Sequence, residues 1–452
     1  MRFTAIACAL SAGVLLAPAA ALAQFSATPD QGPPTKTTFL RLSNNANAIL
    51  VEPVTPDPVR SRITVVVTHP EGVNNFNYFI ARALPQYGYR VLAINYYGPE
   101  KSFYELYGPI AAGIKAVRAL PGVEKVVLAG HSSGGAELAS YQDVAENGAA
   151  ACQQPERIYK CTAKEAANLP KADAVMFLDP NSGAPERTFE YNPAVGAHDR
   201  AKYDASLDLF APRNGYDPKT GEGHYSPEFL ERFFAAQARL VNGLIDEAQV
   251  RLAKIDKGQG AYPNDEPLWQ SNRGVFVSQV RPELAYIGLL SKSHAPHMLL
   301  KADGTRPVQI LQMAKLPQPQ MRPANTPHTF NEADEYSVRS FLSSFIVRLK
   351  PDYHWTQDGL YGVDWRSSPS SLAGSAEGIH APTLFMTATC AAHMVFHETA
   401  FDHLAAKDKE FVGVEGANHG FLPCRPEYGD TFKRTFDYVD SWLLKPGRIL
   451  QQ

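Results

Sequence analysis

The stretch Lys125-Val126-Val127-Leu128-Ala129-Gly130-His131-Ser132-Ser133-Gly134-Gly135-Ala136 constrains the fold more than any other part of the chain. A β-branched apolar run stops at Gly130-His131-Ser132-Ser133-Gly134, and a helix-like segment follows from Ala136 to Val144. The pattern reads as strand, sharp turn and helix, with a serine at the apex. Side chains flanking so tight a turn would collide, which calls for glycine at Gly130 and Gly134. The turn lifts the Ser132 hydroxyl clear of the sheet. It also aims the backbone N–H of Ser133 and the helix N-terminus at whatever binds there. A bare Gly-x-Ser-x-Gly arises by chance, and the strand before it and helix after it give the pattern its weight. The bland alternative is a glycine-rich turn with an idle serine.

The flanking sequence repeats the same rhythm. Thr38–Leu42 and Ala48–Val54 suit a hairpin about Ser43-Asn44-Asn45. Ile63–Thr68 is a buried strand, Asn77–Leu84 a helix, Tyr89–Asn95 a strand and Ile110–Leu120 a helix that Pro121-Gly122 ends. After the elbow unit comes another buried strand, Asp173–Leu178. Such βαβ units imply a doubly wound, mostly parallel sheet with helices on both faces, an α/β architecture.

The rhythm breaks between about 190 and 378, a region rich in Pro, Tyr and Asn that reads as helices without strands. Ser226 caps one helix, Pro227 suits its first turn, and apolar residues recur from Leu230 to Ile255. A second helix is expected over Glu332–Leu349. The region is expected to be a helical cap inserted between core strands, because the sheet resumes after it with Thr383–Thr387 and Glu410–Val414. A helix-like Glu398–Ala406 separates these two, and an amphipathic helix, Asp430–Leu444, closes the chain. The expected organisation is thus a leader over 1–23, core over 24–189, cap over 190–378 and core over 379–452.

The chain has 452 residues, long enough for a large core, and a formal net charge of −3 with no basic tract, so a nucleic-acid partner is not expected. Long apolar runs of the kind that insert stably in a membrane are too few. Met1-Arg2-Phe3, an apolar run over Ala5–Ala21 and Ala21-Leu22-Ala23 read as a cleaved secretory signal of bacterial style, implying a secreted or periplasmic protein. Cleavage removes Cys8 and leaves Cys152, Cys161, Cys390 and Cys424. An even number in an exported protein reads as disulfides, and neighbour pairing gives 152–161 and 390–424. Their spacing matches no metal site. No feature of the sequence fixes an oligomeric state.

A serine hydroxyl is a weak nucleophile near neutral pH and needs a base, which in turn needs an orienting acid. His419, in Gly416-Ala417-Asn418-His419-Gly420, follows the last strand. Strand C-termini of a doubly wound sheet gather at one edge, so Ser132 and His419 can meet there. The oxyanion formed on attack needs two N–H donors. Ser133 supplies one, and Glu71, in the loop His69-Pro70-Glu71-Gly72 after a core strand, is the expected second.

His69-Pro70-Glu71-Gly72, Gly130-His131-Ser132-Ser133-Gly134 and Gly416-Ala417-Asn418-His419 together resemble the α/β-hydrolase superfamily over the core segments, about half the chain. The resemblance implies an esterase- or lipase-like serine hydrolase without a cofactor, with Ser132 as nucleophile and His419 as base. Such enzymes usually place an acid after the strand that follows the cap. Here that loop, Ala388-Thr389-Cys390-Ala391-Ala392-His393, has no carboxylate. Asp179, ending an earlier strand, is the preferred acid, Glu398 the alternative and Asp402 a distant third; His393 is expected to line the pocket. The substrate is expected to be a small ester, apolar or aromatic, held by the Phe and Tyr of the cap. The competing readings are an amidase, peptidase or lactonase on the same fold, and a non-catalytic binding protein on a hydrolase scaffold.

Overall fold

The computed structural model describes residues 32–43, 46–69, 74–96, 102–199, 202–270, 286, 288–314 and 334–450. The expected signal segment and residues 70–73 lie outside this set.

The chain enters through an antiparallel hairpin, β1 (Thr35–Ser43) and β2 (Ala46–Pro53). Then come β3 (Ile63–Val67), helix α1 (Phe79–Tyr87), β4 (Arg90–Tyr96), α2 (Tyr107–Arg118), β5 (Lys125–Ser132), α3 (Ser133–Asn147) and β6 (Ala174–Pro180). Strands β3 to β6 pair in parallel. Each runs apolar with little alternation because both of its faces are covered. Along β5, Val126 and Leu128 face one core while Val127 and Ala129 face the other, and every one of the four is buried. Gly88, at φ 105°, stops α1 in a left-handed conformation that glycine adopts without strain.

The region from 190 to 378 departs from the expectation of helices without strands. It holds the short pairs β7 (Tyr216–Asp217) with β8 (Glu222–Gly223), and β9 (Pro267–Gln270) with β12 (Asp334–Ser337). It also holds β13 (Arg348–Trp355) with β14 (Leu360–Asp364). More consequentially, β10 (Lys292–Leu300) and β11 (Val308–Gln312) join the main sheet. The expected helix over Glu332–Leu349 is instead β12, a short helical stretch over Val338–Phe345 and the start of β13. Its apolar residues mimic a helical period, but Phe341, Leu342, Val347 and Leu349 are spread over a turn and a strand.

The long helix α4 (Pro227–Asp256) forms as expected, with the Ser226 side chain accepting from Phe229 N–H. The helix buries Phe229, Phe233, Phe234 and Val241, and much of the aromatic content of this region packs inward with them, including Tyr353 and Trp355.

The sheet then finishes with α5 (Leu372–Ala376), β15 (Thr383–Ala388), α6 (Met394–His403), β16 (Lys409–Val414) and α7 (Thr431–Leu443). The ten-stranded order is β1-β2-β4-β3-β5-β6-β15-β16-β10-β11. Strands β4 to β10 of that order run parallel, and antiparallel β2 and β11 flank them. Disulfides join Cys152 to Cys161 and Cys390 to Cys424. No helix among the described residues is long and apolar enough to cross a membrane.

Candidate active site

Ser132 ends β5 with φ 53° and ψ −136°, a conformation that L-residues adopt only when their surroundings force it. The glycines around it answer to close contact. A Cβ on Gly130 would fall 2.6 Å from Gly135 Cα, and one on Gly134 would fall 2.4 Å from the Thr68 carbonyl oxygen. The helix can therefore lie on the strand ends only with bare backbone at these positions. Ser133 opens α3, so its N–H belongs to the set at a helix N-terminus with no intrahelical acceptor. Glu71, the expected second donor, falls outside the described residues; the strand that leads to it ends beside the elbow, with His69 buried.

Strand β6 runs alongside β5, and Ser132 stands opposite Pro180 in the register. Asp179, the residue before that proline, is fully buried at φ 45°. Its Oδ1 accepts the Ala388 N–H at 2.7 Å, and its Oδ2 lies 2.6 Å from Nδ1 of His419. Burial alone would raise the Asp179 carboxyl, but the His419 hydrogen bond and the neighbouring imidazoles outweigh it and hold it below the ordinary aspartate range. His419 sits on the loop after β16, and its side chain is 38% exposed, open enough to meet a ligand. One asparagine shapes that loop, with Asn418 Oδ1 accepting from Gly420 and Leu422 N–H. The Cys390–Cys424 bridge and the Cys390 N–H donating to the Ala417 carbonyl tie it to the loop after β15.

A parallel sheet with the serine elbow after its central strand, and a histidine loop after β16 bonded to an acid at the end of β6, settles the architecture. The chain has the α/β-hydrolase fold.

Within this hydrolase fold the other candidate acids have different partners. Glu398 lies in the middle of α6, not at a helix start. Its buried carboxylate accepts from His294 N–H, Ala295 N–H and His297 Nε2 at 2.9, 3.0 and 2.7 Å. Asp402 faces His294 Nε2 at 3.2 Å. Both carboxylates thus fasten β10 to α6.

His393 sits beside the Asp179–His419 pair. Its ring centroid is 5.7 Å from that of His419, and its Nδ1 is 2.9 Å from Glu186 Oε1. Glu186 was not singled out in the sequence; its only signal was position, shortly after β6. His397, also missed, is fully buried against Thr387 and the Pro180 carbonyl. Burial pushes its pKa down to about 4, so at neutral pH it shapes the floor beneath Asp179 without adding charge.

No family model matches the chain, and no curated protein does. Among solved structures, a hypothetical protein from Pseudomonas aeruginosa is 14% identical, with 90% of this chain and 94% of that one covered and a TM-score of 0.41. The siderophore hydrolase EstB from Aspergillus fumigatus is 11% identical, with 92% and 100% covered and a TM-score of 0.38. A monoacylglycerol lipase from Paleococcus ferrophilus is 16% identical, with 90% and 99% covered and a TM-score of 0.33.

Proposed function

We propose that this chain is a serine hydrolase that cleaves carboxylic esters through an acyl-enzyme on Ser132. The observation that carries the reading is the 2.6 Å bond between Asp179 Oδ2 and His419 Nδ1, one strand away from a serine on a strained elbow. On this reading Ser132 Oγ attacks the ester carbonyl while Nε2 of His419 takes its proton. Asp179 fixes the tautomer with hydrogen on Nδ1 and stabilises the imidazolium that forms. The N–H groups of Ser133 and Glu71 hold the oxyanion. His419 then protonates the departing alkoxide, and a water activated by the same imidazole releases the acid.

The insertion over 190–378 covers the site on this reading, and the substrate is a small ester with an apolar or aromatic group. The leader-like start and two disulfides support export to a secreted or periplasmic location.

The test is labelling of Ser132 by a fluorophosphonate, together with hydrolysis of p-nitrophenyl esters set against matched amides. Labelling and ester turnover, both lost in Ser132→Ala, are expected. Turnover of amides in preference to esters would move the reading to an amidase or peptidase, and an unlabelled serine would leave a binding protein.

A further inference from the structure

The residue before the nucleophile is an imidazole where the surrounding core would accept a hydrocarbon. His131 is 1% exposed, with Phe79 edge-on at 4.9 Å and Phe421 beyond it. A polar ring there is costly unless both nitrogens find partners, and both do. Nε2 lies 2.6 Å from the main-chain carbonyl oxygen of His419, 288 positions away, and Nδ1 meets the Tyr78 hydroxyl. A carbonyl oxygen only accepts, so the hydrogen of His131 is on Nε2. Nδ1 is then an acceptor, and Tyr78 donates. The His131 and His419 rings lie with their centroids 4.4 Å apart and their planes tilted by 35°.

We propose that His131 is a positioning residue, a latch that ties the loop of His419 to the serine elbow and sets where the base stands relative to Ser132. The base is then held at two points from two adjacent strands. Asp179 of β6 grips its ring and His131 of β5 grips its backbone. The titratable neighbours of His131 are His419, His69, His397 and Tyr78, and burial keeps its imidazole uncharged among them. The effect on catalysis rests on the serine-hydrolase reading; the latch itself does not.

The test compares His131→Phe, His131→Gln and Tyr78→Phe with the parent protein by ester turnover, thermal midpoint and nitrogen NMR of the histidine rings. The expected result is a fall in kcat of ~100-fold for His131→Phe with KM little changed, the scale of a misplaced catalytic group. His131→Gln, which keeps an N–H to offer the His419 carbonyl, should recover part of that loss. In the parent protein the His131 ring should remain the neutral form with hydrogen on Nε2 at both mildly acidic and mildly alkaline pH. A folded His131→Phe with unchanged kcat, or a His131 ring that carries its hydrogen on Nδ1 or titrates like a free imidazole, would overturn the proposal. If His131→Phe does not fold, the Gln and Tyr78→Phe variants and the ring spectrum decide. If the parent protein neither labels nor turns over esters, the hydrolase reading fails, and the ring spectrum alone judges the latch.

Discussion

Asp179 and Glu398 are both buried carboxylates bonded to imidazole, yet they stand in different surroundings. Asp179 touches His419 beside the elbow, whereas Glu398 touches His297 and two backbone N–H groups of β10. Asp179→Asn keeps the shape but lets the His419 ring take the wrong tautomer, so a fall in kcat of about 10⁴-fold is expected in an ester assay. Glu398→Gln should leave turnover within a small factor. Its carboxamide cannot accept every bond the carboxylate accepts, so a loss of about 1–3 kcal/mol in urea unfolding is expected. Swapped outcomes for the two variants would reassign the acid. The sequence made the elbow plain because its strand, glycines, serine and helix all fall within one short stretch of chain. The choice between Asp179 and Glu398 was harder to read, since it turns on which histidine each meets across the sheet. His131 carried no sign of a role in the sequence, because its two partners, His419 and Tyr78, are distant along the chain.

At the scale of single elements, α3 carries a pH-sensitive feature. Glu137 is fully buried and accepts from the Tyr96 hydroxyl, while its Oε2 has no partner among the described residues. Burial pushes its pKa up to about 8, from an ordinary value of 4.5. Below the ordinary value both the folded and unfolded states hold the proton. Between it and about 8 only the folded state does, so stability declines with rising pH across that window and then levels off. Glu137→Gln should flatten that slope and stabilise the protein at the alkaline end, as read from urea midpoints at several pH values; parallel slopes would refute this. Asp143, pushed by burial to about 7 on the same helix, adds a slope of the same sign that remains in the variant.

The loop pair after β15 and β16 is another such element. Replacing Cys390 and Cys424 by serine should cost about 4 kcal/mol, the scale expected for a loop of this length, and should lower turnover because His419 rides on the freed loop. Unfolding and ester assays on the double variant check both effects.

Across the whole molecule, the doubly wound core was legible because its strands are apolar on both faces. The inserted region was not. Strand β10 carries Pro296 and two histidines, which argue against a strand, yet it lies near the sheet edge where such residues are tolerated. Strand β11 is short, and only Leu311 of it is buried. The second expected helix failed because a 3.6-residue period can be imitated by a turn followed by a strand. These strands make the insertion inseparable from the core. Met298 and Leu300 pair with Val412 and Val414, and Leu299 and Leu311 reach the core below. Replacing 190–378 by a short linker is therefore expected to yield insoluble chain, and a soluble product with cooperative unfolding would show that the core stands alone.

The order in which strands are synthesised differs from the order in which they lie. Strand β10 emerges from the ribosome well before β16, yet β16 is the parallel neighbour on which it rests. A nascent chain therefore holds the β10–β11 hairpin with one side unsatisfied until residue 414 has been made. Long-range parallel pairing of this kind is slow and leaves adhesive edges open while it waits.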